Sequence, residues 1–255
     1  MNKIKISCIS FCVLLMSLVT HSVYAAQFKI NSVNESSIAI EMSGDIENGD
    51  FDTLKRVIEP NISVNTGFRL IALNSNGGDV LTAMRIGRYI RQHDFDTHVG
   101  AKNNNRTRCL SSCVFIFAAG LNRSASDNIG IHRPFGARTG SVQKNTAINN
   151  YKKLKEDIFE YFDEMNISRN IPEKMMIIPP NEIKMLSMEE SVELGLIGKD
   201  PVAQEMDDSS NAKRFGLSRV EYLGRRKRAL ENCMKFLNLG DGSFANCYEK
   251  IMTQQ

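Results

Sequence analysis

Three stretches of this chain bring together side chains and backbone that acyl transfer requires. The first is Cys109-Leu-Ser-Ser-Cys-Val-Phe-Ile-Phe-Ala-Ala-Gly120, whose apolar run reads as a helix from Ser111 to about Ala119. A serine at the first turn of a helix sits beside unpaired backbone N–H groups and at the positive end of the helix dipole, which is the environment an oxyanion needs. Serine is also an ordinary helix cap there, so Ser111 takes its meaning from its neighbours. The second stretch, Asn74-Ser-Asn-Gly-Gly-Asp79, is a tight turn in which Gly77 and Gly78 allow the backbone to come close to a substrate. The third, Ile129-Gly-Ile-His-Arg-Pro-Phe135, ends a strand on His132, a side chain able to take a serine proton and return it to a leaving amine. The N–H of Ser112 and one from the Gly77-Gly78 turn would then hold the oxyanion.

These groups are useful only if regular elements present them together. Ser37 to Ser43 alternates apolar and polar residues as a half-exposed strand does, and Asp50 to Ile58 follows with helical spacing. Phe68-Arg-Leu-Ile-Ala-Leu73 is a buried-strand run that leads through the glycine turn into an amphipathic helix over 80–91. A short strand over 97–100 and a polar loop over 103–108 precede the serine segment. Strand, glycine-rich turn and helix thus recur, and the pattern predicts an α/β fold of repeated units. A long helix over 146–165 carries Tyr151, Leu154, Ile158, Tyr161 and Phe162, and Ser187 with Glu190 forms a capping box for a short helix ending near Gly195. Residues 207–211 read as a linker. Beyond it Ser218 and Glu221 cap a helix with the apolar stripe Leu223, Leu230, Met234 and Leu237, and Gly240-Asp-Gly242 turns the chain into a second helix from Ser243.

The serine segment is similar to the nucleophile segment of the Clp protease proteolytic subunit, in the serine-protease branch of the Clp/crotonase superfamily, where the serine lies nine residues before the glycine of an Ala-Gly pair. By that spacing the nucleophile is Ser111 rather than Ser112. Asn74-Ser-Asn-Gly-Gly resembles the family's glycine turn with Asn76 in place of a proline, the 129–134 segment resembles its histidine strand, and 185–197 resembles its C-terminal signature. The resemblance implies a layered Clp/crotonase-like α/β domain, a peptidase, and assembly through the helix over 146–165 into a homo-oligomer. The family's third triad residue falls on Pro179, which cannot orient an imidazole; Asn181 or Glu182 is the nearest replacement, and Asn181 is taken here.

The chain opens with Lys3 and Lys5, an apolar run over 6–19 and Val23-Tyr24-Ala25, the pattern of a signal peptide cut after Ala25 or Ala26. The expected organisation is therefore 1–25 signal, 26–201 α/β domain and 202–255 linker with a helical hairpin, in a periplasmic or secreted protein. Export leaves Cys109, Cys113, Cys233 and Cys247 in an oxidising compartment. Cys233 and Cys247 are equidistant from Gly240 on two antiparallel helices and are expected to pair; Cys109 and Cys113 either pair with each other or stay reduced. The formal net charge is +3, or +1 without Lys3 and Lys5, which argues against a dedicated nucleic-acid binder. No metal-ligand spacing or phosphate loop is present, and no metal or cofactor is expected. Export excludes an ATP-driven unfoldase as a partner and coenzyme A as a ligand, so the substrates would be peptides or unfolded protein segments. The basic residues between Lys213 and Arg228 read as a solvated helix face or a contact with an anionic membrane surface. The competing functions are a catalytically inactive binding or assembly module and a serine hydrolase with a lysine base, as in signal-peptide peptidases.

Overall fold

The computed structural model describes residues 25–34, 36–63, 66–100, 107–126, 128–135 and 144–254. Residues 1–24 of the expected signal segment and most of the polar loop over 103–108 lie outside them. The main body is a mixed α/β structure. Strand β1 (Gln27–Asn34) pairs antiparallel with β2 (Ser37–Ser43), whose Ile38, Ile40 and Met42 point inward and are buried while their neighbours are only partly covered. Helix α1 (Asp50–Ile58) follows. Then come β3 (Phe68–Asn74), α2 (Val80–Gln92) and β4 (Asp96–Val99), in which the recurrence of strand, turn and helix was legible.

Strand β5 (Cys109–Leu110), helix α3 (Cys113–Ala118), β6 (Asn122–Ala125) and β7 (Ile129–Ile131) complete the central segment. The long helix α4 (Lys144–Glu164), α5 (Asn170–Ile177), β8 (Lys184–Leu186), α6 (Met188–Glu193) and β9 (Gly198–Lys199) close the main body. One sheet has the order β1-β2-β3-β4-β6-β9, with its four inner strands parallel and both edges antiparallel. The other has the order β5-β7-β8, with β5 and β7 parallel, and a bridge from Ser75 to Cys109 joins it to the end of β3. Parallel strands deliver their carboxyl ends to one side, where ligands bind in open α/β sheets. Here the carboxyl ends of β3, β5 and β7 carry the glycine turn, Ser111 and His132.

Helix α3 is wholly buried and anchored from two directions. The Tyr161 hydroxyl of α4 donates to the Phe115 carbonyl at 2.7 Å, and the Thr97 hydroxyl of β4 donates to the Phe117 carbonyl at 2.8 Å. The second half of α4 carries buried Ile158, Tyr161 and Phe162, whereas Ile148 and Tyr151 in the first half are exposed, with the Tyr151 hydroxyl donating to the Met176 sulfur at 3.7 Å. Of the apolar group 175–178, Met175 is core and Ile177 is exposed.

The region beyond the main body departs from expectation. Residues 207–211 are not a linker but part of α7 (Pro201–Arg214), which starts from strong local signals: Asp200 accepts from the Val202 and Ala203 N–H groups, and Pro201 fits the first turn. Asp200 also pairs with Arg91 and accepts from Asn166, so α7 is tied to the main body at its first residue. Helices α8 (Arg219–Cys233) and α9 (Ser243–Thr253) form the expected hairpin, closed by the Cys233–Cys247 disulfide with a Cα separation of 5.7 Å. A short 3-10 segment (Met234–Leu239) joins them. The buried face of α8 is Tyr222, Ala229 and Cys233; Tyr222 and Ala229 pack with Ala212 and Met252 in a small separate cluster. The expected stripe of Leu223, Leu230, Met234 and Leu237 faces solvent instead. Among the described residues, no helix is long and apolar enough to cross a membrane.

Candidate active site

Helix α3 begins two residues later than its sequence suggests, and the difference shapes the site. Cys109 on β5 and Cys113 at the first position of α3 are disulfide-bonded, with Cα atoms 5.2 Å apart. A continuous helix would diverge these sulfurs; the bridge is formed because the chain reverses sharply between them. Ser111 stands at the apex with φ +55°, in the left-handed region that non-glycine residues seldom occupy. Its N–H donates to the Gly130 carbonyl of β7 at 2.8 Å, extending the β5–β7 ladder by one step. The parallel register pairs Leu110 with Gly130, so Ser111 and His132 emerge from neighbouring strand ends. Both line a cleft of about 790 Å³, together with Val80, Leu81, Pro134 and Phe135.

The glycine turn fits against Ser111. A methyl group placed on Gly77 would lie 2.7 Å from the Ser111 Cβ, 2.8 Å from the Leu110 oxygen and 2.9 Å from the Ser112 nitrogen, so only glycine allows the two turns to touch. Gly78 is hemmed in by the backbone of Ile46, which the sequence did not single out. The Ile46 N–H donates to the Gly77 carbonyl at 2.8 Å, and the Ile46 carbonyl accepts from the Asp79 N–H at 2.7 Å. Asp79 in turn caps α2 by accepting from the Thr82 N–H.

The expected oxyanion donors divide into two groups. The Gly77 N–H donates to the Ser75 hydroxyl at 3.1 Å and is occupied. Among the described residues, the N–H groups of Gly78 and Ser112 have no acceptor, and they flank the Ser111 turn. Gly77 is therefore a spacer rather than a donor. The Ser112 hydroxyl is buried and has no partner among the described residues, and the side chain that lines the cleft is that of Ser111.

His132 is 6% exposed, and burial pushes its imidazole below the ordinary value of about 6.5, opposed only by a contact with the Arg133 backbone. Its Nδ1 is buried and has no hydrogen-bond partner among the described residues. The Arg133 N–H donates to the Ile178 carbonyl at 3.0 Å, which brings the turn at 179–181 toward the histidine strand. Asn181 is nonetheless exposed, and no hydrogen bond joins it to His132. Proline at 179 supplies no side-chain acceptor, and among the described residues no other side chain takes the orienting place at Nδ1.

The remaining wall of the cleft comes from α4, of which the sequence had singled out Leu154 but not its polar neighbours. Asn150, Lys153, Leu154 and Asp157 line it, spaced three and four apart on one helix face, a periodicity that could have shown them. Lys153 donates to Asp157 at 3.1 Å, and this bond holds the exposed ammonium above its ordinary value. Among the described residues, no cluster of His, Cys, Asp and Glu is placed to hold a metal ion.

No family model matches the chain, and no curated relative matches it. Among solved structures, a mutant of the 1510-N membrane-bound stomatin-specific protease aligns with a TM-score of 0.48 and 19% identity, over 65% of this chain and 79% of that chain. A likeness of this degree assigns no chemistry to the cleft.

Proposed function

We propose that this chain is an exported, ATP-independent serine peptidase in which Ser111 and His132 act as a dyad. The observation that carries the reading is the strained Ser111 turn at the mouth of the cleft, with two unoccupied backbone N–H groups beside it and a buried imidazole on the adjoining strand. In this mechanism the Ser111 hydroxyl attacks the peptide carbonyl carbon as His132 takes its proton. The Gly78 and Ser112 N–H groups hold the resulting oxyanion. Collapse breaks the C–N bond, and His132 gives the proton to the departing amine; water then releases the acyl group by the same path in reverse. Ser111 and His132 share no hydrogen bond here, and such bonds tighten when substrate excludes water. Val80, Leu81, Leu154 and Phe135 suit an extended peptide with apolar side chains.

The exposed Ile148 and Tyr151 on the first half of α4 support assembly into a homo-oligomer. The two disulfides are compatible with an exported protein. A second reading, an inactive binding module that keeps the cleft, is favoured by the His132 Nδ1, which has no partner among the described residues. A lysine base is disfavoured, because a catalytic lysine must be neutral and Asp157 keeps Lys153 charged. Fluorophosphonate labelling with peptide mapping separates the first two. The expected result is one modified residue, Ser111, with labelling and peptidase activity both lost in Ser111→Ala. Labelling that moves to Ser112 would overturn the assignment, and its absence over a range of pH would leave the binding module.

A further inference from the structure

The amino end of β1 holds a buried carboxylate that the catalytic reading does not use. Asp50, at the first position of α1, is 4% exposed, and its Oδ2 accepts from the Glu47 N–H at 2.7 Å and from the Ala26 N–H at 3.2 Å. Among the described residues no lysine, arginine or histidine pairs with it. A carboxylate this deeply buried calls for a counter-charge. Ala26 is 6% exposed and belongs to the main core, whereas Ala25 is exposed, so the chain passes from surface to interior between these two residues.

We propose that Asp50 is the receptor for a processed N-terminus: cleavage of the Ala25–Ala26 bond turns the Ala26 N–H into an ammonium that forms a buried ion pair with Asp50. The proposal rests on the export reading and not on catalysis. Hydrolysis of that bond adds water, leaving a carboxylate on Ala25 and an amine on Ala26 that is protonated at neutral pH. Signal removal precedes folding, so the buried position of Ala26 is reached only after the new terminus exists. The geometry also chooses between the two cleavage sites open in the sequence. Cutting after Ala26 would discard the main-chain donor that Ala26 supplies to Asp50 and start the chain at exposed Gln27. The pair lies close to the cleft's support as well, since Asp50 holds the Glu47 N–H next to Ile46, the residue that clamps the Gly77-Gly78 turn.

The test compares the exported protein with a cytoplasmic form that keeps Ala25 behind an initiator Met. Mass spectrometry should find the exported chain beginning at Ala26. Asp50→Asn should raise its unfolding equilibrium constant at least about ten-fold in urea, with a much smaller change in the extended form. Pairing raises the amine's folded pKa above its free value of about 7.7, so the extra stability is present below that pH and lost as pH rises through the folded value. Should Asp50→Asn fail to fold, the parent protein still decides: its Ala26 amine should acylate at least about ten-fold more slowly than an unfolded control. A mature chain beginning at Gln27, equal effects of Asp50→Asn in both forms, or a freely reactive amine would each overturn the pair while leaving export intact. An uncleaved chain would remove the export reading and this proposal together.

Discussion

Gly77→Ala tests most directly whether the glycine turn exists to accommodate Ser111. The added methyl meets the Ser111 Cβ at 2.7 Å, the Leu110 oxygen at 2.8 Å and the Ser112 nitrogen at 2.9 Å, separations that real side chains do not adopt. Two of these three are backbone atoms of the nucleophile turn, so relief requires the turn itself to move. Overpacking of this kind costs about 1–3 kcal/mol, and the positive φ of +101° at Gly77 adds about 1–2 kcal/mol for a residue with a Cβ. The expected loss of stability is therefore about 2–5 kcal/mol by urea denaturation. Gly216→Ala is the control: its φ is +66°, and nothing lies within 4 Å of the added methyl, so it should show only the backbone part. Function provides the sharper readout. A displacement near 1 Å at a reacting group can cost about a hundred-fold in rate. The second-order rate of fluorophosphonate labelling should thus fall at least about ten-fold in Gly77→Ala and stay unchanged in Gly216→Ala. Equal stability losses in the two variants with equal labelling rates would refute the claim that Gly77 positions the nucleophile.

Three further outcomes follow from the same geometry. If buried His132 is the base, kcat/KM should fall on acidification with a midpoint below about 6.5, because desolvation favours the neutral imidazole that catalysis needs; His132→Ala should lose nearly as much as Ser111→Ala, whereas Lys153→Met should keep the profile, and an activity that appears only at alkaline pH and vanishes in Lys153→Met would install lysine instead. Replacing both Cys109 and Cys113 by serine opens a loop of about 5 residues and should cost about 2 kcal/mol in urea, with a fall in labelling rate larger than the stability change explains; unchanged labelling would mean the bridge does not set the Ser111 turn. The exposed Leu223, Leu230 and Met234 beside the exposed Lys227 support contact with anionic lipid, so the protein should co-sediment with phosphatidylglycerol vesicles and not with phosphatidylcholine alone, and Leu230→Gln with Met234→Gln should release it; equal binding to both lipids would remove electrostatics from the account.

Legibility in the sequence followed how local the deciding forces are. The alternation in β2, the glycine turn before α2 and the Ser187–Glu190 capping box are set by near neighbours, and each appears where the pattern placed it. The start of α3 was misplaced because a disulfide four residues long overrides the helical preference of an apolar run. The exposed stripe of α8 was mistaken for its buried one because both faces are apolar: Tyr222, Ala229 and Cys233 lie one residue before Leu223, Leu230 and Met234. Periodicity fixes the spacing of a stripe but not which of two adjacent stripes is buried. The bond from Cys233 to Cys247 makes that choice, and it depends on a residue beyond the next turn. Strands β6, β8 and β9 are two to four residues long and owe their existence to partners distant in sequence, so no local pattern announces them.

The site itself was legible as a set of residues but not as a conformation, and the conformation is what suggests chemistry. A serine at φ +55° gives up about 1–2 kcal/mol relative to an ordinary backbone. An ordinary helix cap does not require this, because a capping serine sits in the extended region. The strain persists only where surrounding structure over-determines it, and here four independent contacts do so: the Cys109–Cys113 bridge, the Ser111 N–H on Gly130, the fit of Gly77 against Ser111, and the Tyr161 hydroxyl on the Phe115 carbonyl of α3. Relaxing Ser111 into the helix would break its N–H bond to the Gly130 carbonyl and undo the sharp reversal that places its side chain in the cleft. The cost of the strained turn is therefore matched by what it exposes, two backbone donors and one hydroxyl at the carboxyl ends of β5 and β7. A binding module that merely kept the cleft would gain nothing from that conformation at Ser111.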